Sequence, residues 1–264
     1  MKAFAQEWNN LNSMTIGSVA YNSALENITN QFVLSGTNTS KPNQNSINQI
    51  RTNEIALSSP WEFREFNLNG DGELQLVDAK QEPQVKYNGF HSNAISPAVD
   101  VEKLVAWINN NTSSILNNNY EVPLNIPGST TPLAGGHALF PTNNVNQIWN
   151  GRGTSGNQFI NNDEARHIFS LNTCSSCHGG ETKTIFTHIK PRSFGAETSL
   201  SGFLTGITVI DPANRPIGSP TSRTFNDLLR REVDLANLIG NTCIKRPVFE
   251  LAHKLMFKPI RMVH

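Results

Sequence analysis

Apolar residues recur at loosely helical spacing between Ala3 and Phe32, at Leu11, Ile16, Val19, Leu25, Ile28 and Phe32. This predicts one or two surface helices, followed by a Gly/Thr/Asn/Ser/Lys/Pro loop to about Asn45. From Ile50 to Val85 the period shortens. The segment WEFREFNL carries Trp61, Phe63, Phe66 and Leu68, and ELQLV follows after NGDG. Asn-Gly and Asp-Gly supply the positive φ angles of a tight turn, so a β-hairpin is predicted there. Ser96 to Ile108 reads as a helix with Ser96 as N-cap, Pro97 in the first turn and Val101, Leu104, Val105 and Ile108 on one face. Tyr120 to Gly156 is rich in Pro, Gly, Asn and Thr and predicts a long irregular connection. The next helix opens at Asn162 or Asp163, with Glu164 in its first turn. Near the end, Val248, Leu251, Ala252, Leu255 and Met256 form the stripe of an amphipathic helix over 248–257 that Pro259 stops.

The chain has 264 residues, enough for one large domain or two small ones with a real core. Net charge is zero, so nothing global suggests nucleic acid, and no apolar run is long enough to cross a membrane. The zero is an average of unlike parts. Met1 to Thr173 holds 9 Lys and Arg against 14 Asp and Glu, whereas Cys174 to His264 holds 12 against 7. Of 34 asparagines, 30 precede Cys174, so composition changes at the stretch LNTCSSCHGG.

That stretch, Leu171 to Gly180, places Cys174, Cys177 and His178 within five positions. Three chemistries use such a pattern. In covalent haem attachment, two thiols add to the vinyl groups of a porphyrin and the following histidine lies beneath the iron. Cys174 and Cys177 are then the thioether anchors of one haem c, and His178 its proximal ligand. The surroundings support this: a helix bearing Ala165, Ile168 and Phe169 delivers the motif, and small Gly179 and Gly180 follow where the chain would pass a flat ring. In a zinc site, Cys174, Cys177 and Cys243 with His178 or His253 would make a three-thiolate, one-imidazole set, although Cys243 lacks the near neighbour of a second knuckle. In the third chemistry, Cys174 pairs with Cys243 as a disulfide, or the CxxC acts as a redox dithiol. A helix rather than a strand precedes the motif, which speaks against a thioredoxin-like dithiol.

Asn162 to about Gly180 resembles the start of a c-type cytochrome domain, where a helix with an aromatic residue ahead of CxxCH packs on a second helix near the C-terminus. LSGFLTG, Leu200 to Gly206, looks like a cytochrome helix leading into its ligand loop. The order WEFREF, long connection, SLNTCSSCHGGET is also similar to uncharacterised secreted bacterial proteins with one such motif, which implies no activity. The cytochrome resemblance implies a fold that is mainly α with a minor β part. A cytochrome c-like helical region at 156–264 follows a mixed α+β region at 1–155 containing a β-hairpin, as two domains or one wrapped unit. It also implies a distal methionine, yet there is no Met between Met14 and Met256. Met262, in the extended segment after Pro259, is the favoured distal ligand, with His264, His253, His188 and Met256 as alternatives. His188 and His167 otherwise read as half-exposed polar residues, and Cys243 as a buried, inert thiol.

The expected function is that of a mono-haem cytochrome-like electron carrier, and a carrier is favoured over a haem enzyme. The alternative is a secreted structural or binding module with its cysteines in a disulfide or zinc site. Covalent haem attachment occurs outside the cytoplasm, so a periplasmic or extracellular protein is expected. MKAFAQEW supplies no export signal, so a longer natural chain is expected too. Arg230, Arg231, Lys245, Arg246, Lys254, Lys258 and Arg261 make the second part cationic, as suits an acidic redox partner, although a solvated surface is the plainer account. Asn67, Asn69, Asp71, Gly72, Leu74 and Asp78 also have the spacing of a calcium loop, with the hairpin as the favoured reading.

Overall fold

A computed structural model of the protein describes residues 2–53, 61–77, 82–83, 101–126, 128, 138–140, 148–149, 160–184, 187–193, 195–213 and 221–240. The fold is mixed, with helices and small sheets. Two compact units interleave along the chain: Met1–Ile50, Phe66–Leu76 and Asp227–Phe257 form one, and Arg51–Glu65, Val77–Asn226 and Lys258–His264 the other.

In the first unit, α1 (Lys2–Asn10) runs through a 3-10 turn (Leu11–Ser13) to α2 (Val19–Val33). The Ser18 side chain accepts a hydrogen bond from the Tyr21 amide and so caps α2. The two predicted surface helices are therefore present. They meet through Ala5, Leu11 and Ile28, and Phe4 packs edge-on against Phe32 at 5.2 Å. Strands β1 (Gln49–Asn53), β2 (Trp61–Leu68) and β3 (Leu74–Val77) follow in that order in one sheet.

The β2–β3 connection is the predicted hairpin turn. Asn69 Oδ1 accepts from the amides of Asp71 (3.0 Å) and Glu73 (2.8 Å), and Gly72 sits at φ +82°, which a residue with a Cβ enters only under strain. Strands flank this loop where a calcium loop of the EF-hand kind has helices, and the Asn69 oxygen is turned onto the loop's own amides. Asp78 lies outside the described residues.

In the second unit, α3 (Val101–Asn110) and α4 (Thr112–Leu116) precede the short strand β4 (Ala138–Phe140), which pairs antiparallel with β2 in the register Trp61 to Phe140. The expected start of α3 at Ser96 and Pro97 lies outside the described residues. Helix α5 (Asp163–Leu171) is capped as predicted, by the Asn162 side chain accepting from the Ala165 amide at 2.9 Å, with Asp163 and Glu164 at its positive end. A single turn, α6 (Cys174–Cys177), comes next.

LSGFLTG forms only a short helix, α7 (Gly202–Thr205). Gly206, at φ +122°, ends it, and the β-branched run Ile207, Thr208, Val209, Ile210 becomes β5 (Ile207–Ile210), antiparallel to β6 (Ser222–Phe225). The expected longer helix is thus replaced by a hairpin, because consecutive β-branched residues lose little in an extended chain and more in a helix. Helix α8 (Asp227–Ile239) belongs to the first unit, where it packs on α1. The tail after Gly240, with Cys243, His253, Met256, Met262 and His264, lies outside the described residues.

The larger core of the second unit joins Val101, Leu104, Val105 and Ile108 of α3 and Ile115 of α4 to Ala165, Ile168 and Phe169 of α5. Phe169 is wholly buried among three rings, Trp107 at 6.0 Å, Tyr120 at 6.2 Å and Trp149 at 6.4 Å. The aromatic residue ahead of the cysteines is thus packed by residues earlier in the chain. Phe169→Ala should cost about 3–5 kcal/mol and Phe169→Leu clearly less, measured by urea denaturation. Equal costs would show that the ring cage contributes nothing beyond volume.

Candidate functional site

The motif begins where α5 ends. Thr173, fully buried, caps α6: its Oγ1 accepts from the Ser176 amide (3.3 Å) and the Trp149 indole N–H (3.0 Å) and donates to the Ser170 carbonyl (2.7 Å). Asn172 donates to Asn118 and to the Tyr120 hydroxyl. These bonds place the cysteines on one helical turn, Cys174 at 5% exposure and Cys177 at 0%. Both are free thiols.

The two thiols have different neighbours. Cys174 lies near Glu82, with Arg51 and Glu65 also within electrostatic reach. The Glu82 carboxylate accepts from the Ser175 amide at 3.3 Å and from the Ser175 hydroxyl, so a residue 93 positions away covers the start of the turn. Burial raises Glu82 to about 7 against the hydrogen bonds that lower it. Burial likewise pushes the Cys174 thiol up to about 12, with Glu82 adding to the rise. Cys174 is therefore no reactive thiolate at neutral pH, which counts against the redox-dithiol reading.

Cys177 faces His188, with Sγ 3.6 Å from Nε2. The His178 and His188 ring centroids are 4.3 Å apart, and Phe203 lies 4.6 Å from His188 on α7. His188 Nδ1 meets the Ser201 hydroxyl at 2.8 Å and the Thr184 hydroxyl at 3.3 Å. Backbone supports the same placement, since the Ser201 amide donates to the His188 carbonyl at 2.8 Å. Thr182 Oγ1 donates to the Cys177 carbonyl at 2.5 Å and folds the GGET segment back under the turn.

His188 and His167 correct the expectation of half-exposed residues: both are buried, at 4% and 6% exposure. The reason is that each has a polar partner inside. His167 Nδ1 lies 2.7 Å from Glu181, which is itself fully buried and held by Arg166. Arg166 also donates to both Asp211 oxygens, at 2.9 and 3.0 Å, and to the Trp149 carbonyl at 3.2 Å. Burial alone would raise Glu181, but the Arg166 charge and the His167 bond outweigh it and hold the carboxyl at about 2. Burial alone would lower Arg166, but Glu181 and Asp211 raise it instead. Arg223 reaches the same Asp211 at 3.0 Å and also Glu164.

Sequence reasoning singled out Cys174, Cys177, His178 and His188, and the fold brings them together. It missed Glu82, Arg166, Glu181 and Ser201. A signal existed for two of these, since Arg166 and Glu181 are charged residues close to the motif on either side. Nothing marked Glu82 or Ser201. Arg230 and Arg231, expected on a cationic face, both engage Asp227, whose carboxyl those hydrogen bonds lower although burial opposes them.

Among the described residues no group of three or more His, Cys, Asp and Glu is gathered as a metal ion would require, and no helix is long and apolar enough to cross a membrane. No protein-family model matches the chain, and neither the curated proteins nor the solved structures contain a match.

Glu82 makes stability depend on pH with a definite sign. Its folded pKa lies above the free value of 4.5, so its contribution is whole below about 4.5 and is lost as pH rises to about 7. The loss is on the order of 3 kcal/mol. Glu82→Gln should therefore be favoured over wild type by more at pH 8 than at pH 4.5, and parallel pH profiles of urea stability would refute this. Arg166→Leu should cost about 3–5 kcal/mol, because it strands the Glu181 charge. The pair Arg166→Leu with Glu181→Leu should recover part of that loss, and a double variant no better than the single would show that the charges are not the cause.

Proposed function

We propose that the protein is a mono-haem, c-type cytochrome-like electron carrier that works outside the cytoplasm. Cys174 and Cys177 are its thioether anchors and His178 its axial ligand. The supporting observation is the arrangement of the two thiols. They stand one helical turn apart with different neighbours, Glu82 for one and His188 for the other. Thioether attachment uses two separate points on the porphyrin edge, whereas zinc requires its thiolates to converge on one point about 2.3 Å from each sulfur.

The rest of the donor set fits as well. An imidazole follows the second thiol directly, and apolar Phe203, Leu204, Val209 and Phe225 pack around both cysteines. Ser176 Oγ, between them in sequence, is buried with no hydrogen-bond partner among the described residues, as at a site completed by a further group. When bound, the haem supplies a one-electron couple. The chain's own part is to hold it through two sulfurs and one imidazole and to exclude water by burying the motif. The Arg166 and Glu181 pair keeps the chain before and after the motif in place.

A zinc site is the second reading, and one contact favours it: 3.6 Å between Cys177 Sγ and His188 Nε2 suits two ligands of one ion. The deciding experiment is expression in a host that matures c-type haem, then absorption spectra with and without dithionite and intact mass after denaturation. A sharp reduced α band and the mass of one retained haem are expected, and Cys174→Ala with Cys177→Ala should abolish the retention. Colourless wild-type protein at apo mass would sink the haem reading, and stoichiometric zinc in that sample would support the second.

A further inference from the structure

We propose that His188 is the second axial ligand, so that the iron carries two imidazoles rather than an imidazole and a methionine. This rests on the haem reading above and adds the ligand that the resemblance to cytochromes left to Met262. The described histidines are His167, His178 and His188. His167 is committed elsewhere, with Nδ1 on Glu181 at 2.7 Å and its ring 6.0 Å from Phe225. His188 is placed as a ligand is: Ser201 at 2.8 Å holds Nδ1, and Nε2 is turned toward the motif. A histidine ligand keeps its ring orientation through a hydrogen bond at the other nitrogen, and mutation of such partners weakens metal binding.

Proximity makes the same point. The His188 ring already touches that of His178, at 4.3 Å between centroids. Ligation of one iron by both requires these rings to part, and the link between them begins as the Gly179–Thr184 turn, so the adjustment does not unpack α5. Ser201 is free to serve His188 because its hydroxyl makes no capping bond to α7, although it stands at the N-cap. Two imidazoles leave no open position for oxygen or peroxide, which favours a carrier over an enzyme. They also remove the thioether ligand that raises the potential of His/Met cytochromes.

The test uses the haem-loaded wild-type protein first. Near-infrared magnetic circular dichroism and electron paramagnetic resonance of the oxidised form should report low-spin iron with two nitrogen ligands. His/Met ligation or high-spin iron would overturn the assignment while leaving the haem reading intact, whereas absence of covalent haem from wild type removes both. His188→Gly should then be high-spin, keep its covalent haem in denaturing mass analysis, and return to low-spin on addition of imidazole. An unchanged low-spin spectrum in that variant would overturn the proposal. Met262→Ala, His264→Ala and His253→Ala should keep the wild-type spectrum, and conversion of any of these to high-spin would overturn it even if His188→Gly fails to accumulate.

Discussion

The arrangement of the site depends on one buried cation. Arg166, on α5, is wholly enclosed, and its guanidinium binds Glu181 beyond the motif, Asp211 at the end of β5 and the Trp149 carbonyl ahead of α5. A guanidinium presents several donors in a rigid plane, so one side chain can fix three separate stretches of chain at set angles. Removing such a charge from water costs several kcal/mol, and its partners offset that cost rather than exceed it. The network therefore serves to specify one arrangement more than to add stability. CSSCH lies between the two ends that Arg166 holds.

Around that pin the polar residues are unusually deep. Ser170, Asn172, Thr173, Ser175, Ser176, Glu181, Thr182 and Thr184 are all buried near the cysteines, along with His167, His178 and His188. A purely structural staple would not call for so many desolvated groups, each of which must find a partner inside. Most do find one: Thr173 binds Trp149, Ser175 binds Glu82, and His188 binds Ser201. Buried polar shells of this kind are the usual surroundings of a bound group, which is why the site and not the fold class supports the functional proposal.

The part of the chain that resembles no cytochrome has a visible task in this arrangement. Trp107, Tyr120 and Trp149 enclose Phe169, and Glu82 covers the start of the cysteine turn. Residues 77–226 belong to one compact unit. The segment before the motif thus shields it on the sides that α7 and the β5–β6 hairpin leave uncovered.

What the amino-acid order determined alone was local. The cap at Asn162, the acidic first turn of α5, the turn at Asn69 and Gly72, and the apolar face of α3 follow from hydrogen bonds and periodicities within a few residues. The CxxCH spacing likewise defines its candidate chemistry without any tertiary contact. Burial of His188 and His167 was not legible, because each imidazole is drawn inside by a partner 13 or 14 positions away, and no periodic pattern links the two. Glu82 was still less so, at a separation of 93 residues from Ser175. Local propensity acts over one or two turns of chain, whereas desolvated polar groups choose partners by distance in space. Only the tertiary structure could decide which side chains surround the cysteines.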